Sequence, residues 1–162
     1  MQQNKIQEVM PMNKTSAMKI SSSAFAENAT IPMKYTCQGD NVNPPLHIDN
    51  VPQATVSFVL IVDDPDAPMG TWVHWVVWNI APVSEIHEDS TPQGGRQGLT
   101  SAKSHEYSGP CPPSGTHRYF FKVYALDTTL QLDANATKQD VESAMDGHII
   151  ERAELIGLYK KV

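Results

Sequence analysis

Three polar side chains stand where a strand-like run meets a proline-rich break: Asp64, His74 and His117. Asp64 follows the apolar run 56–62 and opens the segment Asp64-Pro65-Asp66-Ala67-Pro68. His74 lies inside the apolar stretch 72–80. His117 follows Gly109-Pro110-Cys111-Pro112-Pro113-Ser114-Gly115. Strand ends are where loops offer functional groups on a rigid frame. Imidazoles add hydrogen-bond donors that strengthen on protonation. Within 109–113 only Gly109 and Cys111 own a backbone N–H, because proline has none. Two free donors on a stiffened loop form an anion nest. A carboxylate repels a dianion. Asp64 must therefore orient an imidazole or accept the proton of a singly protonated phosphate.

Each residue also has a plain structural reading. His74 alone reads as a hydrogen-bonded core histidine, Asp64 as an Asx-turn into Pro65, and His117 as a solvated strand end. Jointly these readings weaken, because all three residues neighbour the prolines and glycines that would fix them. Two other chemistries can be written down. Ser114, His117 and Asp64 compose a serine-hydrolase set on paper, but no Gly-x-Ser-x-Gly elbow presents the serine. Two histidines and an aspartate match the ligand count of a non-haem iron site, but their spacing is scattered and the proline-rich nest suits anions better. There is no P-loop and no Gly-x-Gly-x-x-Gly. The expectation is a binding site with no metal, no cofactor and no catalysis.

The elements that must hold these residues are mostly strands. A first strand is expected over 19–25 and an edge strand over 46–48. The β-branched run 56–62 reads as a strand buried on both faces. Alternation over 72–80 puts Trp72, His74, Val76 and Trp78 on one face and Val73, Trp75 and Val77 on the other. Residues 81–108 read as a long irregular connection, the kind that is usually functional or disordered. In the strand 116–126, His117, Tyr119, Phe121 and Val123 share a face. One helix is expected: Thr137 and Asp140 resemble a capping box, Val141, Ala144 and Met145 follow at helical spacing, and Gly147 ends it. A closing strand follows at 151–159. The predicted fold is mainly β, an antiparallel β-sandwich with one or two short helices.

The chain has 162 residues, which suits one domain with its own core. That domain is expected over 18–162, with 1–17 a loose polar extension. The net charge of −6 and the lack of any basic cluster longer than Lys160-Lys161 argue against a nucleic-acid binder. No stretch approaches a membrane span, and the polar first residues lack a secretory signal core. The cytoplasm is the expected location. The two cysteines, Cys37 and Cys111, have neither disulfide-framework nor zinc spacing. By themselves they read as reduced, packed thiols, since cytosolic disulfides are rare.

Four segments carry a resemblance: Tyr35-Thr36-Cys37-Gln38-Gly39, Asp64-Pro65-Asp66-Ala67-Pro68, Val73-His74-Trp75, and Gly109-Pro110-Cys111-Pro112-Pro113-Ser114-Gly115-Thr116-His117-Arg118-Tyr119. From about residue 18 to the C-terminus the chain resembles the phosphatidylethanolamine-binding protein family. Within it, the resemblance is to the bacterial and archaeal YbhB/YbcL group, also called Raf-kinase-inhibitor-like. The resemblance implies a β-sandwich with a small pocket for phosphate-like groups. Asp64, His74, His117 and Tyr119 would line it, with the Cys111 backbone N–H on the turn. It implies a small phosphorylated ligand or anion, and an inhibited kinase or serine protease as the alternative partner. A homodimer stays open. It also brings the loops of Cys37 and Cys111 to one end of the sandwich, where a disulfide becomes geometrically allowed. The chain departs from the family pattern over 100–107, where only Tyr107 matches.

Overall fold

The computed structural model describes residues 17–162. The expected extension 1–17 lies outside the described residues except for Ala17, whose carbonyl accepts a bond from the Asn50 side chain at 3.1 Å. Eight strands and one helix follow: β1 Lys19–Ser21, β2 Leu46–Asp49, β3 Ser57–Asp64, β4 Trp72–Ile80, β5 Glu85–Ile86, β6 Arg96–Gln97, β7 His117–Leu126, α1 Lys138–Met145 and β8 Ile149–Tyr159. They form a three-stranded sheet, β1-β2-β5, and a five-stranded sheet, β6-β4-β3-β7-β8. Every pairing between these strands is antiparallel. The predicted antiparallel sandwich is the fold observed.

β3 sits at the centre of the larger sheet and is buried along its whole length. Its β-branched run reflects a strand with no solvent face. Phe58, Leu60 and Val62 meet Ile20, Leu46, Ile48 and Ile86 of the smaller sheet. Val59 and Ile61 meet Trp78, Leu126, Val141 and Met145 on the other side. The second face is therefore closed by α1 and the segment before it. The capping box holds as expected: the Asp140 N–H donates to Thr137 Oγ1 and the Thr137 N–H to Asp140 Oδ2. Gly147, at φ 83°, lets the chain leave the helix.

Strict alternation fails in β4. Val73 packs with Val76 and Trp78, not with Trp75 and Val77. The cause is a bulge: Val62 pairs with Trp75 but Asp63 pairs with Val73, so His74 is the extra residue. The first strand is shorter than expected, ending at Ser21. The Ser22 hydroxyl donates to the Pro45 carbonyl and accepts the Ala24 N–H, which turns the chain away. The irregular stretch 81–108 contains two short strands, β5 and β6.

The expectation of two reduced thiols is overturned. Cys37 and Cys111 form a disulfide with a Cα–Cα distance of 5.4 Å. Their loops meet because the Gly109 backbone lies directly against residues 35 and 36. A Cβ on Gly109 would stand 2.2 Å from the Tyr35 carbonyl oxygen, so only glycine permits the approach. The bond spans a sequence separation of 74 residues. A loop that long restricts the unfolded chain substantially. A Cys37→Ser, Cys111→Ser double variant is expected to lose roughly 2–4 kcal/mol in urea-unfolding stability. An unchanged unfolding midpoint would contradict that.

Candidate functional site

The ends of β3, β4 and β7 converge on one cavity of about 390 Å³. Asp64, His74, Gly109, Cys111, His117 and Tyr119 all line it. The three residues singled out first are thus neighbours. They are also deeply buried: Asp64 is 3% exposed, His74 5% and His117 7%.

Asp64 uses both carboxylate oxygens. Oδ1 accepts the Asp66 N–H at 2.8 Å, which is the expected Asx-turn. Oδ2 meets His117 Nδ1 at 2.7 Å. The structural and functional readings of Asp64 therefore hold together. His117 is a buried ring rather than a solvated strand end. Its Nδ1 is engaged by Asp64, which leaves Nε2 as the free ring nitrogen.

His74 differs from expectation in role. Its Nδ1 lies 2.6 Å from the Ser108 carbonyl, an acceptor, so Nδ1 carries the hydrogen. Burial lowers the pKa of His74 below the ordinary value, against the opposing pull of Ser108 and Asp64. At neutral pH the ring is uncharged and Nε2 carries a lone pair. His74 thus offers an acceptor where the sequence suggested a second donor.

The nest is also reassigned. The Gly109 N–H donates to Asn41 Oδ1 at 2.8 Å and is not free for a ligand. The Cys111 N–H remains, close to the Tyr119 hydroxyl. Tyr119 is 1% exposed and its hydroxyl makes no hydrogen bond, although Asp64 and Cys111 both stand near it. Burial, then the Asp64 charge, raises its pKa far above the ordinary value, so it stays a neutral O–H donor. The His74 ring meets Tyr119 edge-on at 5.3 Å, and the His117 ring stacks on it at 6.4 Å.

Several contributors were missed by the sequence reading. Ser108 fixes the His74 tautomer and Asn41 fixes the wall. Ala67, Pro68, Met69, Trp72, Ala102, Pro112 and Pro113 make the lining largely apolar. Met69, 95% exposed, and Trp72, 42% exposed, are bare apolar side chains at a proline-rich strand break, a signal that was available. Ser114 is exposed and does not line the cavity, so no hydroxyl nucleophile accompanies the Asp64–His117 pair through it. Among the described residues, no three His, Cys, Asp or Glu side chains group as a metal site.

The loop below the cavity is clamped from outside. Arg118 donates to Asp66 three times: Nε at 2.9 Å, Nη2 at 2.8 Å and the backbone N–H at 2.9 Å. These bonds hold the Asp66 carboxyl at a pKa of about 2.

A sequence model described as phosphatidylethanolamine-binding protein matches residues 21–160. A UPF0098 protein of Methanothermobacter thermautotrophicus is 49% identical over 89% of this chain and 99% of its own length. A solved homologue of that binding-protein family from Chlamydia trachomatis superposes with a TM-score of 0.87 at 45% identity, covering 91% of this chain and 99% of its own. Escherichia coli YbcL, described as a new member of the mammalian family, gives 0.83 at 30% identity, covering 90% and 99%.

The Arg118 clamp sets an acid dependence. The Asp66 carboxyl titrates near 3.8 in the ordinary case and near about 2 here. Its stabilisation is complete above about pH 4 and disappears as pH falls toward 2. Asp66→Asn is expected to flatten the stability-versus-pH curve in that window alone. Thermal midpoints measured across pH 2–6 check this; identical acid limbs in the two proteins would refute it.

Proposed function

The chain belongs to the phosphatidylethanolamine-binding protein family, and we propose that its cavity binds the singly protonated phosphate group of a small ligand. The buried, unpartnered Tyr119 hydroxyl carries this reading. A buried donor left without an acceptor costs about 1–3 kcal/mol. A phosphate oxygen would satisfy it, with the Cys111 N–H beside it. The lone pair on His74 Nε2 then needs a proton donor, and the P–OH of a monoanion supplies one. A dianion would have no proton to give and would face the Asp64 carboxylate. The site thus asks for a group that both accepts and donates.

We read the site as binding rather than catalytic. The Asp64–His117 pair has the form of a base and its orienting carboxylate, but the serine once written beside it lies elsewhere. A cytoplasmic location fits this reading; among the described residues no helix is long and apolar enough to cross a membrane. Inhibition of a kinase or serine protease is the second reading. Exposed Met69 and Trp72 favour it, because a partner could cover them beside the mouth.

Titration calorimetry with inorganic phosphate, phosphoethanolamine and sulfate tests the proposal. Sulfate carries no proton at neutral pH and should bind much more weakly. Affinity for phosphoethanolamine should fall as pH rises past its second pKa of about 6, and affinity for inorganic phosphate should fall at higher pH, past its own second ionisation. Tyr119→Phe and His117→Ala should each cost roughly 1.5–3 kcal/mol of binding, as for bonds to a charged group. Equal binding of sulfate and phosphate, or wild-type affinity in both variants, would sink the assignment.

A further inference from the structure

β8 ends the larger sheet, so only one of its edges is paired with a strand of that sheet. Along the other edge its N–H and C=O groups face outward at every second residue. The segment 27–31 takes those of Ile156 and Leu158. The Asn28 N–H donates to the Ile156 carbonyl at 2.7 Å, the Leu158 N–H to the Ala29 carbonyl at 2.9 Å, and the Ile31 N–H to the Leu158 carbonyl at 2.7 Å. The Ile156 N–H donates to Glu27 Oε2 at 3.3 Å. By the same alternation the next outward groups are those of Glu154 and Arg152. Among the described residues, no backbone or side-chain group bonds them. Both side chains are exposed, and no proline interrupts 149–159. An edge of this kind is a template for another strand.

From this placement we propose that the Arg152–Glu154 edge of β8 is a docking surface for β8 of a second copy of this chain. The two strands run antiparallel about a two-fold axis at Ala153. Arg152 then stands opposite the partner's Glu154, and Glu154 opposite the partner's Arg152. Both members of each pair have outward backbone groups, so they exchange N–H···O bonds in both directions. Ala153 meets itself at the axis, where the close spacing of a non-hydrogen-bonded pair suits a small side chain. Ile150, 39% exposed, comes opposite the partner's half-buried Ile156. The order apolar, cation, anion, apolar at 150, 152, 154 and 156 is thus its own complement when reversed. Sliding one strand by two residues sets Arg152 against itself or Glu154 against itself, and like charges directly opposite destabilise a sheet. Charges commonly guard a sheet edge. Opposite charges at alternate residues exclude the other registers and leave this one open.

The docking leaves the cavity alone. Arg152 pairs with Tyr124 and Glu154 with Lys122, whereas His117 pairs with Tyr159 at the opposite end of β7. A shallow hollow of about 360 Å³, lined by Lys122, Tyr124, Arg152, Ala153 and Glu154, lies beside the free edge and gives the partner's side chains room. The 27–31 segment stops the new ladder at Ile156. A ladder this short makes a closed, two-fold dimer that is weak and concentration-dependent, not an obligate one.

Analytical ultracentrifugation of the full chain, over a concentration series reaching about 1 mM, tests the docking. The wild type should pass from monomer toward dimer as concentration rises. Amide hydrogen exchange at Arg152 and Glu154 should slow over the same range. Arg152→Glu and Glu154→Arg each set like charges opposite one another, and each should weaken the dimer about tenfold. The double variant Arg152→Glu, Glu154→Arg restores opposite charges and should recover the dimer. It disturbs Lys122 and Tyr124 in its own chain as the single variants do, so recovery isolates the contact between copies. A monomer throughout the series would overturn the proposal. Single variants that dimerise like the wild type, a double variant as weak as the singles, or a dimer without slowed exchange at Arg152 and Glu154 would overturn it too. Far-UV spectra check that the variants fold; if one single variant does not, the other and the wild-type exchange decide.

Discussion

A buried carboxylate organises this cavity. Asp64 sits where β3 runs out, almost wholly removed from water. A carboxylate there is tolerable only if its oxygens are used. One oxygen takes the Asp66 N–H and turns the chain. The other takes His117 and fixes which ring nitrogen faces the cavity. The same residue therefore sets both the loop and the tautomer. Arg118 reinforces the arrangement from the solvent side by gripping Asp66 two residues on. The neighbouring Asp63 points to the opposite face, where Lys122 and Lys138 meet it. The parity of β3 thus separates two adjacent carboxylates into a structural one and a site one.

His74 depends on a different constraint. A strand without a bulge would have sent it toward the helix side with Val76 and Trp78. One extra residue in β4 re-aims it onto Tyr119. Bulges commonly redirect side chains beside functional sites. Here the bulge brings an uncharged imidazole against a buried phenol, so the cavity floor pairs an acceptor with a donor. Neither group alone selects a ligand. In the proposed reading their opposition does, because it suits a partner carrying both a lone pair and a proton.

Most of the architecture was legible in the residues. The run 56–62 could only be a doubly covered strand, and Thr137 with Asp140 wrote the start of α1. The convergence of Asp64, His74 and His117 was legible from the strand ends and proline-rich breaks beside them together with the family resemblance of their segments. What escaped was of one kind: information held in another part of the chain. The bulge at His74 follows from register with β3, which no local period reveals. The Gly109 N–H was counted as free because its acceptor, Asn41, is distant in sequence. The tautomer of His74 depends on the Ser108 carbonyl. The disulfide escaped the reading of the cysteines by themselves because composition speaks to compartment and not to proximity.

The same proline-rich turn explains why the cavity's two walls differ in stiffness. Prolines restrict the backbone and remove donors at one stroke. The restriction helps hold Cys111 beside Tyr119. The missing N–H groups deprive that stretch of the hydrogen bonds that hold the rest of the loop. Cys37 fastens the turn twice, through the Cys111 sulfur and through its own N–H, which donates to the Pro110 carbonyl. On the opposite wall, Asp64 and His74 are held by strand pairing and buried hydrogen bonds that no change in solution redox state touches. The two walls thus differ in origin: β-branched residues and strand register built the one, and prolines with a cysteine pair 74 residues apart built the other.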